Sequence, residues 1–358
     1  MRVRSRARQH GGRSKRRLNP GHGFAGLLFL AIILWNIIPI SPAWLEENYS
    51  RNFYQTLAGF LVPIMNSVPF SISAVALILL PILWLVWTVR SFRQGRFLRS
   101  IWRTALLAGI LYAIFILNWG MNYGRESIEV QLGLATDSFA ETDLQTLVDT
   151  LGAIIRDDVD VERDVTAARA SLRASLIETV ETITGVTPTL PTWAKSLPAG
   201  TLIRAGNASG MISPFTLEPH VDAALSAEYS LAVGTHELAH VAGYAGEADT
   251  DFVAALAGLN ASDSYARYAT ALKLWNDAVQ QLPEERRTDA VASLPQKARE
   301  DLQAMYEPFR RYRLPAWIQN LQGSLYNQYL TSQGVEAGIQ DYSRTTTLIL
   351  AAQRKGLF

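Results

Sequence analysis

Three stretches of this 358-residue chain carry no charge at all: Phe24–Ile40, Phe70–Val89 and Thr104–Met121. Each approaches the ~17–25 apolar residues that a helix needs to cross a bilayer. A core helix in a soluble domain keeps a polar stripe, whereas these segments are apolar all round. Basic residues are spread unevenly around them. Residues 1–20 hold eight Arg/Lys and no acid, and the loop before the third stretch holds Arg90, Arg93, Arg96, Arg99 and Arg103, again with no acid. Between the first two stretches lie Glu46, Glu47 and Arg51. Lys/Arg-rich flanks stay in the cytoplasm. All three stretches then agree on one multi-pass topology: N-terminus inside, Glu46–Glu47 loop outside, arginine loop inside, everything after Met121 outside. The sequence therefore predicts three transmembrane helices at about 24–40, 70–89 and 104–121, with residues 1–121 as a membrane anchor and the lipid bilayer as partner. Trp35, Trp44, Trp84, Trp87, Trp102 and Trp119 lie within or beside these spans, as an aromatic belt requires. Set against apolar spans, the arginine runs read as topology anchors and not as a nucleic-acid surface. The long lead and the segment Pro39-Ile40-Ser41-Pro42 make the first span a poor cleavable signal.

Tyr54–Val68 is semi-apolar, broken by Pro63 and Asn66, and reads as an outer-surface or re-entrant piece. Residues 122–358 suffice for one substantial extracytoplasmic domain. Residues 104–358 hold 19 basic and 30 acidic side chains, a net of −11. Glu141–Arg156 and Asp160–Thr182 show helical apolar spacing, with Thr142 or Asp143 at the first start. Thr184–Gly200, rich in Pro, Thr and Gly, reads as a loop or lid. Thr201–Arg204 and Met211–Thr216 flank a Gly/Asn/Ser turn and read as a small hairpin, either a shelf for substrate or an ordinary structural element. The remainder from Ala261 reads as mostly helical.

The chemistry concentrates in His236-Glu237-Leu238-Ala239-His240, an HExxH pattern. On a helix His236 and His240 share a face, so both imidazoles reach one metal ion. Glu237 sits about 100° round and is placed to polarise a water molecule there. Two histidines leave zinc short of ligands. Gly243 marks the end of the metal helix, and Gly243-Tyr244-Ala245-Gly246 reads as a tight turn into a second helix from Glu247 to about Leu259. In so short a helical hairpin Glu247 falls beside His240, and Asp251 one turn further on falls beside His236. Glu247 is thus the expected third ligand, with Asp251 accepting the free N–H of a ligand imidazole. Asp249 is the rival third ligand, on another face. His220 reads as a surface loop histidine ahead of an extra ligand or oxyanion donor, and Tyr244 as a residue packed in the turn ahead of one that stabilises a tetrahedral intermediate. Tyr326, Tyr329 and Tyr342 are remote candidates for stabilising a tetrahedral intermediate. With zero cysteines, metal ligands are limited to His and carboxylate, which favours a catalytic over a structural zinc.

The chain resembles a bacterial membrane-protein family known as domain of unknown function 3810, placed among zincin-like metallopeptidases. The likeness rests on the three spans, Glu47-Asn48-Tyr49-Ser50-Arg51, Pro69-Phe70-Ser71, Asn118-Trp119-Gly120-Met121-Asn122-Tyr123, Ser213-Pro214-Phe215-Thr216-Leu217-Glu218, the HELAHVAGYAGEAD core, and the tail from Tyr326 to Arg354. Asp251 replaces the family's usual Asn and brings the motif closer to the ExxxD of gluzincins. The resemblance implies the bacterial plasma membrane. The expected fold is mainly α: three N-terminal transmembrane helices, then a zincin-like α+β domain with a small edge hairpin. The expected function is a membrane-anchored zinc metallopeptidase acting on a peptide or protein substrate outside the cytoplasm. Zn²⁺ would be held by His236, His240 and Glu247, with Glu237 as the base. The competing expectation is a non-catalytic, zinc-stabilised surface sensor or scaffold, which would have no need of Glu237. A transporter component has little support, because the spans carry no charge for a substrate path.

Overall fold

The computed structural model describes residues 20–136, 139–198, 208–311, 315–332 and 342–358. The described chain is mainly helical with one small three-stranded sheet. It divides into two compact units. The first contains α1 (Pro20–Ile37) and residues 91–113, which include most of α4 (Phe97–Asn118). Within it the Phe29 and Trp102 rings lie 6.4 Å apart, and Tyr112 donates to Asn36 Oδ1 at 3.2 Å.

The second unit holds residues 40–90 and 114–358. It opens with a π-helical run, Leu45–Phe53, that continues into α2 (Tyr54–Asn66). Then comes α3 (Ile72–Arg93), which passes out of the unit at its end. Two helices, α3 and α4, are long and apolar enough to cross a membrane. None of the apolar window of α3 is buried, so its Leu and Ile side chains face outward on all sides. The first expected span, about 24–40, corresponds to α1, whose apolar part, Ala25–Ile37, is shorter. Tyr54–Val68, expected at the outer surface, is largely the helix α2.

The helices that build the core are α6 (Glu141–Asp158), α7 (Val165–Thr184), α8 (Ala227–Val241), α9 (Glu247–Leu259) and α10 (Ser264–Val279), with the short α5 (Ile128–Leu132) before them. Leu151 and Ile155 on α6, Leu172 and Leu176 on α7, and Phe252 on α9 are fully buried, as is Trp275 on α10. The remaining helices are α11 (Glu284–Ser293), α12 (Gln296–Arg311), α13 (Ala316–Ser332) and α14 (Tyr342–Lys355), the last packing on α9.

One helix starts where expected, and the next starts later than the expected Asp160. α6 begins at Glu141, where Asp143 accepts the Ala140 N–H at 2.7 Å. α7 begins only at Val165, because Asp164 caps it by accepting from Thr166 and Ala167 N–H. Such a cap contributes roughly 0.5–2 kcal/mol.

The sheet runs β1 (Lys195–Leu197), β3 (Pro219–Asp222), β2 (Gly210–Ile212) in spatial order. β1 pairs parallel with β3, and β2 pairs antiparallel with it, Met211 opposite His220. The Pro/Thr-rich segment expected as a loop thus contains a strand. Among the described residues the hairpin partner of β2 is β3; Thr201–Arg204 lies outside them. Among the described residues β2 forms one edge of the sheet, and β3 leads directly into α8.

Candidate metal centre

α8 is capped by Ser226, which accepts the Tyr229 N–H at 3.2 Å. It ends at Ala242, and Gly243 takes φ 102°, a conformation that L side chains rarely adopt. The chain reverses there, and α9 runs back along α8. Three side-chain atoms meet between the two helices. Glu247 Oε2 lies 3.3 Å from His236 Nε2 and 3.8 Å from His240 Nε2. His236, His240 and Glu247 each offer one ligand atom, all within 4.8 Å of one another. Bonds of ~2.1 Å in a tetrahedron separate ligand atoms by roughly 3.4 Å, so this donor set fits a zinc ion after small side-chain adjustment. Two imidazoles and one carboxylate, with no thiolate, is also the donor chemistry of sites that keep a position open.

The other ring nitrogens are engaged. His236 Nδ1 lies 2.9 Å from Asp251 Oδ1, and Asp251 also accepts from Lys273 Nζ at 3.1 Å. His240 Nδ1 lies 2.6 Å from the Tyr244 carbonyl, so it carries the hydrogen and its Nε2 keeps a lone pair for a ligand bond. Thr250 Oγ1 donates to the Tyr244 and Gly246 carbonyls at 2.9 and 2.7 Å and fixes the turn that supplies this contact. Asp249 stands apart. Its Oδ1 accepts from Arg344 at 2.8 Å, and it is not among the clustered ligand atoms.

Electrostatics follow from burial and these pairs. Burial alone would raise the Glu247 carboxyl, but hydrogen bonds and charge from the two histidines hold it well below its ordinary range. For Asp251 burial is again outweighed, first by Lys273 and then by His236, and the result is a lowered pKa. His236 is pushed the other way: burial would lower it, and Asp251 with Glu247 lift it to about 10. Glu237 is raised by burial to about 7. Its Oε2 is buried with no hydrogen-bond partner among the described residues.

Several neighbours carry no obvious signal in the sequence. Gly210 on β2 lies so close to Glu237 that a Cβ there would come 2.5 Å from Oε1 and 2.8 Å from the His220 carbonyl. Trp119, expected in an aromatic belt, is 3% exposed, and its ring meets the His240 ring edge-on at 5.7 Å. The carbonyls at the end of α8 are taken up by side chains from distant segments. Tyr54 donates to Val241 O at 2.9 Å, Gln55 to Ala242 O at 3.0 Å, and Arg125 to Gly243 O at 2.9 Å. Tyr244 is buried in the turn, with the Arg125 guanidinium 4.2 Å above its ring. Tyr326 on α13 donates to Glu247 Oε1. The side chains of Tyr329 and Tyr342 lie outside the described residues.

His220 is not on a surface loop. It is 3% exposed on β3, where Nε2 lies 2.8 Å from Ser71 Oγ and Nδ1 lies 3.2 Å from the Met211 carbonyl. Neighbouring Glu218 accepts from the N–H groups of Ile72 and Ser73 at 3.0 and 2.7 Å and from Lys195 at 2.6 Å. A buried carboxylate thus satisfies the open N–H groups at the start of α3.

The cluster opens into a cleft of about 890 Å³ whose walls include Met211, His236, Glu237, Glu247, Lys273 and Tyr326. No curated protein and no solved structure matches the chain. A family profile described as "Protein of unknown function (DUF3810)" matches residues 49–350, the greater part of the sequence, and the chain belongs to that family.

Proposed function

We propose that the protein is a membrane-anchored zinc metallopeptidase whose catalytic centre lies outside the cytoplasm. The observation that carries this reading is the Glu237 carboxylate. It is buried, its Oε2 is unpartnered, and it stands beside three converging metal-ligand atoms at the wall of a large cleft. Leaving a buried carboxylate oxygen unpaired costs several kcal/mol, and a purely structural metal site gives no return for that cost.

Zinc, held by His236, His240 and Glu247, would supply Lewis acidity to the scissile carbonyl and to the attacking water. Glu237 would take a proton from that water at Oε2 and deliver it to the leaving amine nitrogen. Asp251 would hold the His236 ring through Nδ1, and the Tyr244 carbonyl would hold His240 in the same way. Gly210 leaves room for the edge strand β2 to lie against Glu237, where an extended peptide could pair with it.

Sidedness rests on the arginine-rich flanks. The test compares the full chain with Glu237→Gln, which keeps size and removes the base. Zinc content should stay the same, and hydrolysis of a peptide library should fall at least ~10²-fold. Unchanged turnover, or loss of zinc with the substitution, would reject the assigned role. Zinc binding with no hydrolysis in either protein would leave a zinc-stabilised scaffold as the better reading.

A further inference from the structure

α2 has two unlike faces. Tyr54, Ala58 and Val62 are buried, and on this side Tyr54 and Gln55 hold the carbonyl end of α8. The opposite side exposes Phe60 and Ile64, with Phe60 67% exposed; exposed Phe53 ends the π-helical run that leads into α2, and Phe70 follows in the link to α3. No charged residue occurs between Arg51 and Arg90, so nothing charged interrupts this face or the link. Leaving a large apolar side chain in water forgoes roughly 1.5–3 kcal/mol each. Three along one continuous helical run, without a charge to solvate it, mark a surface that is covered. The occupant follows from what comes next in the chain. Only residues 67–71 separate α2 from α3, whose apolar side chains face outward on every side. Glu218 and His220 bind the start of α3 to β3, so α3 begins in the same unit as α2.

We infer that α2 is an in-plane interfacial helix: its Phe60 and Ile64 face, with Phe53 just before it, enters the lipid headgroup and upper acyl region of the bilayer that α3 crosses. Interfacial helices of this kind bury an apolar face about 5–10 Å deep. The metal helix α8 would then end about one helix diameter, ~10–12 Å, from lipid, with Tyr54 and Gln55 as the contact between the two. The lipid contact requires that α3 crosses the bilayer and does not depend on a bound metal or on catalysis.

The chain has no cysteine, which allows single nitroxide labels. The full chain is placed in vesicles of phosphatidylcholine and phosphatidylglycerol with a label at Phe60→Cys, at Leu80→Cys on α3, or at Val291→Cys on α11. Power saturation with oxygen and with a water-soluble nickel chelate then reads depth at each site. The label at 60 should favour oxygen over nickel, at a depth shallower than that at 80, while the label at 291 favours nickel. Ile64→Cys should repeat the result for 60. Nickel access at 60 equal to that at 291, with 80 protected, would overturn the interfacial helix and leave the anchor standing. Nickel access at both 60 and 80 would overturn both. Exclusion of both reagents at 60 would mean a protein partner or a second copy covers the face, and a depth equal to that at 80 would mean a re-entrant segment; either result rejects the inference.

Discussion

Replacing Arg125 by Met removes one cation that holds three pieces of the second unit together. Its Nη2 and Nε lie 2.7 and 2.8 Å from the two Glu46 oxygens, its Nη1 caps the Gly243 carbonyl, and its guanidinium covers the Tyr244 ring. The pair is buried, with side-chain exposures of 5% for Arg125 and 3% for Glu46. Breaking a buried ion pair by removing one partner costs about 3–5 kcal/mol. Glu46 keeps a second partner, Arg51 at 2.9 Å, so the low end of that range applies to the pair. The orphaned Gly243 carbonyl adds about 1–3 kcal/mol. A total near ~4 kcal/mol corresponds to a fall in apparent Tm of roughly 6 °C for a unit of about 300 residues. Thermal unfolding of the full chain in lipid nanodiscs, followed by circular dichroism, reads the shift. The double variant Arg125→Met with Glu46→Gln should recover part of it, because no buried charge is left unpaired. The pH dependence has a definite sign. Burial would raise the Glu46 carboxyl, and Arg125 followed by Arg51 more than offset it, so the folded-state pKa lies below the ordinary 4.5. Its contribution is therefore present above about pH 4.5 and lost as pH falls through the lower, folded value. The Glu46→Gln variant should show a shallower loss of stability on acidification in that window. A Tm shift under ~2 °C for Arg125→Met, or a double variant no more stable than the single, would refute this account of the junction.

Gly210→Ala should lower stability by about 1–3 kcal/mol and displace Glu237, because one of the colliding atoms is backbone. Zinc content should be retained while hydrolysis falls, and wild-type behaviour in both assays would deny the close approach. Asp251→Ala should keep zinc bound with roughly 10–100-fold weaker affinity, measured by chelator competition. Asp249→Ala should leave that affinity unchanged, since Asp249 pairs with Arg344. Reporter fusions at Gln94 and Ala261 should give opposite compartments, and one shared compartment would refute the proposed sidedness.

The helical hairpin around the candidate metal centre was legible because it is local. Residues four apart on a helix share a face, Gly243 announces the reversal, and a short turn fixes which residues of α9 oppose which of α8. The same rule separates Asp249, two residues from Glu247, from the ligand face. The three-residue strands β1 and β2 are too short for a period-2 pattern to register, and β1 pairs with a strand more than 20 residues away. His220 looked exposed because its nearer partner, Ser71, lies 149 residues earlier, and Met211 reaches it only through the pairing of β2 with β3. Tyr54, Gln55 and Arg125 meet the end of α8 across separations of more than 100 residues, and no local pattern encodes such a contact. Trp119 carried an ambiguous signal: a tryptophan at the end of an apolar span suits a membrane belt as well as the buried contact it makes with His240.

The central claim is that His236, His240 and Glu247 form one metal site, and zinc analysis of the purified full chain tests it most directly. Elemental analysis together with X-ray absorption at the zinc edge should give about one zinc per chain, with two imidazole nitrogens and carboxylate oxygen at about 2.0–2.2 Å. The His236→Ala/His240→Ala double variant should give none. A chain that retains zinc in the double variant, or a wild-type protein that binds none at micromolar zinc, would contradict the claim.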